Sequence, residues 1–410
     1  MQVRPLREEE KVIYAGMVRD AFVIPGNFVP DFVERLKVED TRALIDDEGR
    51  IVSGLNILWN DIWFGQKKLH VVDITGVATP PENRRQGLLK QLLREVLRQE
   101  AANGYNISAL YPFEFAFYRK FGYELASSSQ HVKVKIPALA HFRSKTRGRW
   151  TQLVEDDWAR FKTLYDKFCV GRFGRFDRDE NFWRRNVLKA WEPGGPVPQN
   201  LYVWTDASGL DRAYVIYRHK NKDANGWERD MRIREMVWLD EAARHEIYAF
   251  IANHDSQAEK AVWNTEPGDE IYALLNNPRE ATIEYDSGYM LRLLNVEKAL
   301  AERAWPVLGA GETAGFSLAV RDDVFEWNDG RTYRLEAKGE QVEVSSVAGT
   351  EHAGLSCDVR ILAQFYAGYL SPFEAARLGK LEVSSETELA AAQRLFSPPG
   401  QPASFMNDHW

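Results

Sequence analysis

The part of this sequence best suited to chemistry is a short basic loop that opens a helix. It runs from Asn83 to Leu89 and reads Asn-Arg-Arg-Gln-Gly-Leu-Leu. The first amides of a helix have no partner inside the helix, and the helix dipole adds partial positive charge there. Gly87 lets a phosphate approach the backbone, while Arg84 and Arg85 supply charge. The loop therefore predicts a pyrophosphate site, although these residues alone are also typical of an ordinary basic helix start.

A second candidate is a tyrosine in the aromatic stretch from Phe113 to Tyr123. The stretch predicts a short helix on which Phe113, Phe117 and Phe121 share one face and pack in the core. Tyr118 lies about 100° around the helix from Phe117, so it can point where the phenylalanines do not. Without further information, Tyr118 can equally be an interfacial tyrosine with its hydroxyl in water.

The elements that would position these residues follow one another closely. Leu69 to Thr79 is rich in β-branched residues and predicts a strand. A helix begins at Leu88 and stops at Asn103-Gly104, because glycine tolerates the left-handed conformation at a helix end. Tyr105 to Leu110 predicts the next strand. The apolar residues of the helix recur at helical spacing: Leu88, Leu89, Leu92, Leu93, Val96 and Leu97.

The same order of elements occurs twice along the chain. Strands and helices from Gln2 onward complete a first unit, residues 1–145. A second unit, residues 146–288, has the same order, but Asp240-Glu241 stands where the basic loop would be. Acidic residues there would repel a pyrophosphate, so we expect no cofactor site in this unit.

A third unit, residues 289–410, predicts strands followed mainly by helices, which indicates an α+β layer. The predicted strands are 315–320, 323–328, 332–338 and 341–345. The predicted helices are 296–305, 357–368, 371–378 and 387–396.

Three motifs resemble one family. Val77-Ala78-Thr79, Arg84 to Leu89 and Tyr118 to Tyr123 look like motifs A and B of the GCN5-related N-acetyltransferases (GNAT), and specifically the enhanced intracellular survival (Eis) family. Leu89 departs from the usual small residue of the GNAT loop. Phe373 to Glu382 resembles the sterol carrier protein (SCP2) fold. The resemblance implies an α/β protein with two tandem GNAT folds, the second lacking the cofactor loop, followed by an SCP2-like α+β domain.

The resemblance also implies an activity, which is acetyl transfer from acetyl-CoA to a small-molecule amine without a metal. Tyr118 would be the general acid, and the terminal carboxylate of Trp410 would be the base. A frayed chain end is the alternative, and we expect the carboxylate of Asp408 to be unnecessary. The residues expected to bind the cofactor are Val77, Ala78, Thr79, Arg84, Arg85, Gln86, Gly87, Leu88, Leu89, Lys90, Phe113 and Glu114.

Charge and composition limit the classes of molecule that this chain is expected to bind. A net charge of -7 is unlike a nucleic-acid-binding face. No apolar run reaches the roughly 20 residues of a membrane helix, and only two cysteines are present, which favours the cytoplasm. The resemblance suggests a homohexamer and aminoglycosides or other polyamine-like acceptors. Residues 23–27 carry no acid that would favour a cationic sugar, and a lipid carrier working through the third domain is the alternative function.

Overall fold

The computed structural model describes residues 1–143, 148–192, 195–222 and 229–408. The chain begins with four helices and six strands. The helices are α1 Lys11–Phe22, α2 Phe28–Arg35, α3 Leu88–Ala102 and α4 Phe115–Arg119. The strands are β1 Gln2–Arg4, β2 Thr41–Ile45, β3 Ile51–Gly65, β4 Lys67–Ala78, β5 Ile107–Leu110 and β6 Glu124–Leu125.

The middle of the chain is again mixed. Its strands are β7 Ser128–Lys135, β8 Arg149–Gln152, β9 Arg172–Phe176, β10 Lys189–Glu192, β11 Gly195–Pro198, β12 Asn200–Thr205, β13 Asp211–Asn221, β14 Arg229–Trp238, β15 Lys260–Thr265, β16 Ala281–Ser287 and β17 Met290–Leu293. Its helices are α5 Trp158–Cys169, α6 Glu180–Phe182, α7 Glu241–Ala252 and α8 Ile271–Leu274.

The last part of the chain pairs a sheet with helices. The helices are α9 Val296–Glu302, α10 Val359–Ala367, α11 Pro372–Arg377 and α12 Glu386–Phe396. The strands are β18 Thr313–Arg321, β19 Arg331–Lys338, β20 Gln341–Ala348, β21 Leu355–Asp358 and β22 Leu381–Val383. Among the described ranges, no helix combines the length and apolar character needed to cross a bilayer.

Three large sheets organise these elements. The first has the order β1-β2-β3-β4-β5-β17-β6, with β9 also paired to β3. The second has the order β16-β7-β15-β14-β13-β12-β8, and the third β20-β19-β18-β21-β22. In the first two sheets a parallel pair, β4 with β5 and β14 with β15, stands among antiparallel strands.

The predicted limits at residues 145 and 288 do not coincide with the points where the chain leaves each sheet. Strand β7, inside the predicted first unit, pairs with β15 and β16 of the second sheet. Strand β9, from the predicted second unit, pairs with β3, and β17 inserts between β5 and β6 of the first sheet. The sheets therefore exchange strands, which local sequence patterns do not reveal.

Two predictions for the third unit are wrong. Residues 323–328 form turns instead of a strand, because the side chain of Asn328 is buried and bonds the backbone of Leu294 and Val296. Cys357 belongs to β21, so the helix predicted from there begins at Val359, where Asp358 caps it. Short strands such as β21 and β22 carry too little alternation to be read from sequence.

Candidate active site

The centre of the first sheet contains a gap between two parallel strands. Strand β4 pairs with β5 only over Val71–Asp73, opposite Ile107–Ala109. It then continues to Ala78 along β3, with an irregularity in register opposite Gly54–Asn56. Such an irregularity bends a strand away from its neighbour, and Gly76 takes a left-handed φ of 58° there. The end of β4 therefore presents an open backbone edge to which an extended ligand can add like another strand.

The loop after this edge has the geometry of an anion site. Gly87 precedes α3 with a φ of 80° and provides no side-chain cap, and the first turn of α3 contains no acid. Arg84 donates from Nε to the Thr79 carbonyl at 3.1 Å, and Gln86 donates to the Glu82 carbonyl at 2.9 Å. These bonds fix the loop, while no side chain among the described residues accepts a hydrogen bond from the first amides of α3.

A cavity of about 460 Å³ lies between this loop, the end of α1 and the segment after β5. Most of the predicted cofactor residues line it. They are Val77, Thr79, Arg84, Arg85, Gly87, Leu88, Leu89, Lys90 and Phe113. One end of the cavity is cationic and suits a diphosphate. The other end has an apolar wall beside the open strand edge, and it suits the extended arm of a pantetheine thioester.

Three predicted cofactor residues lie outside the lining. The side chain of Ala78 packs beneath α1, and Gln86 braces the loop. Glu114 uses its carboxylate to cap α4, accepting from the amide of Ala116 at 3.1 Å. Conversely, Ala21 and Phe22 line the cavity without having been predicted. The sequence feature that could have indicated this is Phe22, a large apolar residue at the end of a predicted helix.

The aromatic stretch is arranged differently from the prediction. Because Glu114 caps α4, Phe113 lies outside the helix and is 62 % exposed. Tyr118 is instead buried, with 2 % of its surface exposed, and its ring meets those of Phe113 and Phe117 edge to face at 5.3 and 5.1 Å. Burial raises the pKa of Tyr118. Because its pKa is raised, the hydroxyl stays protonated. It makes no hydrogen bond in the described part of the chain, so its proton is available for donation.

A buried carboxylate lies on β4 where the pairing with β5 ends. Asp73 is fully buried, and its Oδ2 accepts from Asn60 Nδ2 at 2.5 Å. Its Oδ1 has no hydrogen-bond partner among the described residues. Burial raises the pKa of Asp73 well above its usual range, against a smaller opposite effect of Asn60. Asp73 was not predicted, although an acid inside the run Val-Val-Asp-Ile was a visible signal.

The final described residues, 404–408, lie against the first sheet, and we call them the tail. The Phe405 amide donates to the Phe173 carbonyl at 3.1 Å, and Ser404 shares a 2.9 Å hydrogen bond with the Tyr289 hydroxyl. Tyr111, directly after β5, donates its hydroxyl to the Met406 carbonyl at 3.1 Å. The expected base, the carboxylate of Trp410, lies outside the described residues.

The second sheet offers no equivalent anion site at its corresponding helix. Asp240 caps α7, its side chain accepting from the amide of Ala243 at 2.9 Å, and Glu241 occupies the first turn. The helix start is therefore already neutralised by carboxylates. The restriction of cofactor binding to the first unit stays a prediction.

Comparison with known families agrees with this geometry. Residues 2–126 and 174–293 each match an acetyltransferase (GNAT) domain, and residues 296–404 match a sterol carrier protein domain. An uncharacterized N-acetyltransferase of Streptomyces avermitilis is 22 % identical, covering 98 % of this chain and 97 % of its own. N-acetyltransferase Eis of Mycobacterium tuberculosis is 25 % identical, covering 85 % of this chain and 86 % of its own.

Solved structures of N-acetyltransferases share this fold over the full length of the chain. A GCN5-related N-acetyltransferase from Anabaena variabilis superposes with a TM-score of 0.85 at 26 % identity, covering 100 % of both chains. Eis1 from Mycobacterium abscessus superposes with a TM-score of 0.81 at 21 % identity, also covering 100 % of both.

Fold and site together define a GCN5-related N-acetyltransferase that uses acetyl-CoA as its cosubstrate. The two GNAT domains, the sterol carrier protein domain that follows them and the similarity to N-acetyltransferase Eis all match the Eis-like family resemblance. The predicted fold class and family resemblance are confirmed.

Proposed function

We propose that the first domain transfers the acetyl group of acetyl-CoA to a primary amine of a polar small molecule, with aminoglycosides and polyamines as the first acceptors to test. The observation that carries this proposal is the open edge of β4 leading to the uncapped start of α3. An extended arm on that edge ends in a diphosphate at Gly87, Arg84 and Arg85. Acetyl-CoA, which carries its thioester on an extended arm that ends in a diphosphate, uses both features.

The transfer needs a neutral amine, a positioned thioester and a proton for the leaving thiolate. The amine nitrogen attacks the thioester carbonyl, the C–S bond breaks, and the sulfur takes the hydroxyl proton of Tyr118. The amine gives its extra proton to a base. Backbone groups of Val77, Ala78 and Thr79 hold the arm, and Lys90 adds charge beside the diphosphate.

For the base, we retain the terminal carboxylate of Trp410, as the family resemblance implies. Support comes from the tail, which reaches Tyr111 beside the strand gap. Amidating this carboxylate or appending residues after Trp410 should abolish transfer while acetyl-CoA binding persists. Full transfer by the extended chain would assign the base elsewhere.

The polarity of the acceptor is suggested by a second cavity of about 420 Å³, next to Tyr111 and the tail. Its walls carry serine hydroxyls, the amide of Asn264 and the carboxylates of Glu284 and Asp286. Glu284 is already paired with Lys133 at 2.7 Å. Hydroxyl, amide and carboxylate groups together suit an amine that also bears hydroxyls, as aminoglycosides do.

A panel of amines with thiol release as readout tests this function. We expect release above the acetyl-CoA hydrolysis background with at least one aminoglycoside or polyamine. Release with only apolar amines would contradict the proposed acceptor class, and no release with any amine would contradict the activity itself.

Lipid carriage by the third domain is less well supported, because aromatic rings and a buried arginine pack together in its core. The ring of Phe396 packs on those of Phe316 and Phe365 at 5.5 and 5.6 Å. Arg303, 1 % exposed, donates to the carbonyl oxygens of Tyr366 and Phe396. A buried guanidinium among aromatic rings leaves poor lining for an acyl chain. Acetyl-CoA, and not fatty acids or sterols, should therefore raise the melting temperature.

A further inference from the structure

The tail is fixed by a buried cluster of charges from the second domain. Arg178 donates from Nε and Nη2 to the two carboxylate oxygens of Asp408, at 2.9 and 3.0 Å. Its Nη1 and Nη2 also donate to Glu235, at 2.8 and 2.5 Å. Arg178 and Asp408 are each 1 % exposed. Two carboxylates thus share one guanidinium in a dry interior.

A second arginine completes this cluster. Arg234 approaches Asp408 Oδ1 with Nη2 at 3.3 Å and donates from Nη1 to the Asn407 carbonyl at 3.0 Å. Asn407 returns a hydrogen bond to the Arg234 carbonyl at 3.0 Å. We call Arg178, Arg234 and Glu235 the tail clamp. With Asp408, it contains two positive and two negative groups, so the cluster is neutral overall.

The clamp fixes geometry more than it adds stability. Removing several charges from water offsets most of what their attraction gains, so buried ion pairs are poor stabilisers. A fully bonded buried network nevertheless permits a single arrangement of its members. Because both oxygens of Asp408 are bound by guanidinium groups, the tail has one orientation on the second domain.

The position held in this way lies beside the reacting centre. One face of the first sheet is covered by α3, which packs on Val72 and Ile74. On the opposite face, Val71 and Ala109 belong to the same hydrophobic cluster as Met406 of the tail. The tail also contacts Tyr111, which lies between β5 and the lining of the cofactor cavity. An amine that reaches a thioester in the strand gap from that face therefore meets the tail.

We propose that Arg178 and Arg234 are positioning residues for acetyl transfer, because they hold Asp408 and thereby set the tail on the acceptor side of the active site. The inference rests on the proposed function and extends it to the second domain. That domain, whose helix start is blocked by Asp240, then serves the first domain's reaction by holding the chain segment that completes its acceptor side.

The test compares two isosteric variants of buried aspartates in full-length protein. Asp408→Asn removes the charge held by the clamp, while Arg178 keeps Glu235. Asp269→Asn is the matched control, because Asp269 pairs with Arg244 at 3.2 Å inside the second domain and makes no hydrogen bond to the tail among the described residues. Each variant is assayed with the best acceptor of the amine panel, and acetyl-CoA affinity is measured by calorimetry.

We expect Asp408→Asn to lower kcat/KM for the amine roughly 10- to 100-fold, since an error of about 1 Å in placement has effects of that size. Its acetyl-CoA affinity should be unchanged, and deuterium exchange should rise in the peptide containing Phe405. Asp269→Asn should keep both the turnover and the slow tail exchange. Arg234→Gln, at a partly exposed position, provides a second variant with the same expectation.

Normal amine turnover by Asp408→Asn and Arg234→Gln would overturn the proposal, as would an equal loss in Asp269→Asn. A parallel loss of acetyl-CoA binding would also overturn it, because the effect would then be general. These outcomes are distinct from failure of the proposed function, in which the wild-type chain itself transfers acetyl to no amine.

Discussion

Tyr118 is the residue whose environment most directly suits the proposed chemistry. Its neighbour Tyr123 is equally buried, yet the Tyr123 hydroxyl is engaged at 2.6 Å with Ser108. The two tyrosines are therefore similarly buried, but only the hydroxyl of Tyr118 is free of a hydrogen bond within the described residues and can donate its proton to a ligand. Helical spacing and the family resemblance identified Tyr118 as a candidate, but its burial depends on how the short helix packs.

Tyr118→Phe should lower turnover by the roughly 10²–10⁴-fold typical of a lost general acid, with acetyl-CoA affinity preserved. Tyr123→Phe is the matched control, since it removes a buried hydroxyl that is already bonded, and it should affect stability more than rate. Steady-state transfer at saturating amine checks both variants. Wild-type turnover in Tyr118→Phe would leave that tyrosine a purely structural role.

Asp73 predicts a pH dependence of stability. Its raised pKa means that the folded chain keeps a proton that the unfolded chain releases above about pH 4. Stability from this group is therefore fully present at acidic pH and is lost as the pH rises, by up to about 1.4 kcal/mol per pH unit. Asp73→Asn removes this dependence, so its melting temperature relative to wild type should rise as the pH is raised above about 4. A difference that stays constant with pH would contradict a protonated Asp73.

At the scale of elements, the strand, loop and helix around Gly87 were predictable because each follows from neighbouring residues. Helix α3 begins at Leu88 and ends before Asn103-Gly104, as predicted. Helix α4 is shorter than the aromatic spacing suggested, because the side chain of Glu114 caps it and it begins only at Phe115. A cap made by a single side-chain hydrogen bond is not visible in the spacing of the aromatic residues. The early end of the pairing between β4 and β5, and the register irregularity of β4 against β3, were not predictable, since both depend on strands distant in sequence.

Gly87→Val should weaken acetyl-CoA binding severely. The added side chain would project into open space at the start of α3, where we place the diphosphate, and it would occupy a left-handed φ of 80°. Gly104→Val provides a matched control, because Gly104 has a φ of 97° and open space at the other end of α3. Both changes carry a similar backbone cost of about 1–2 kcal/mol. Calorimetry should show lost affinity only in Gly87→Val, and equal affinity in the two variants would contradict the loop assignment.

At the scale of the whole molecule, domain order was predictable from sequence but the connections between domains were not. Local patterns indicated two similar units and a third α+β unit. Residues far apart in the chain are joined in two ways. Strands β7, β9 and β17 pair outside their predicted units, and Arg178 forms an ion pair with Asp408. The sequence suggested that Asp408 is dispensable, whereas its burial between two arginines gives it a structural partner on the second domain. The homohexamer implied by resemblance stays a prediction for light scattering.

The number of acetyl-CoA molecules bound per chain tests the central claim most directly. The chain contains two GNAT domains with two corresponding helices: α3 begins after Gly87 without a side-chain cap, whereas Asp240 and Glu241 occupy the start of α7. Titration calorimetry of the full chain should therefore give one acetyl-CoA per chain. A stoichiometry of two, or no binding at all, would contradict the assignment of the site to the first domain.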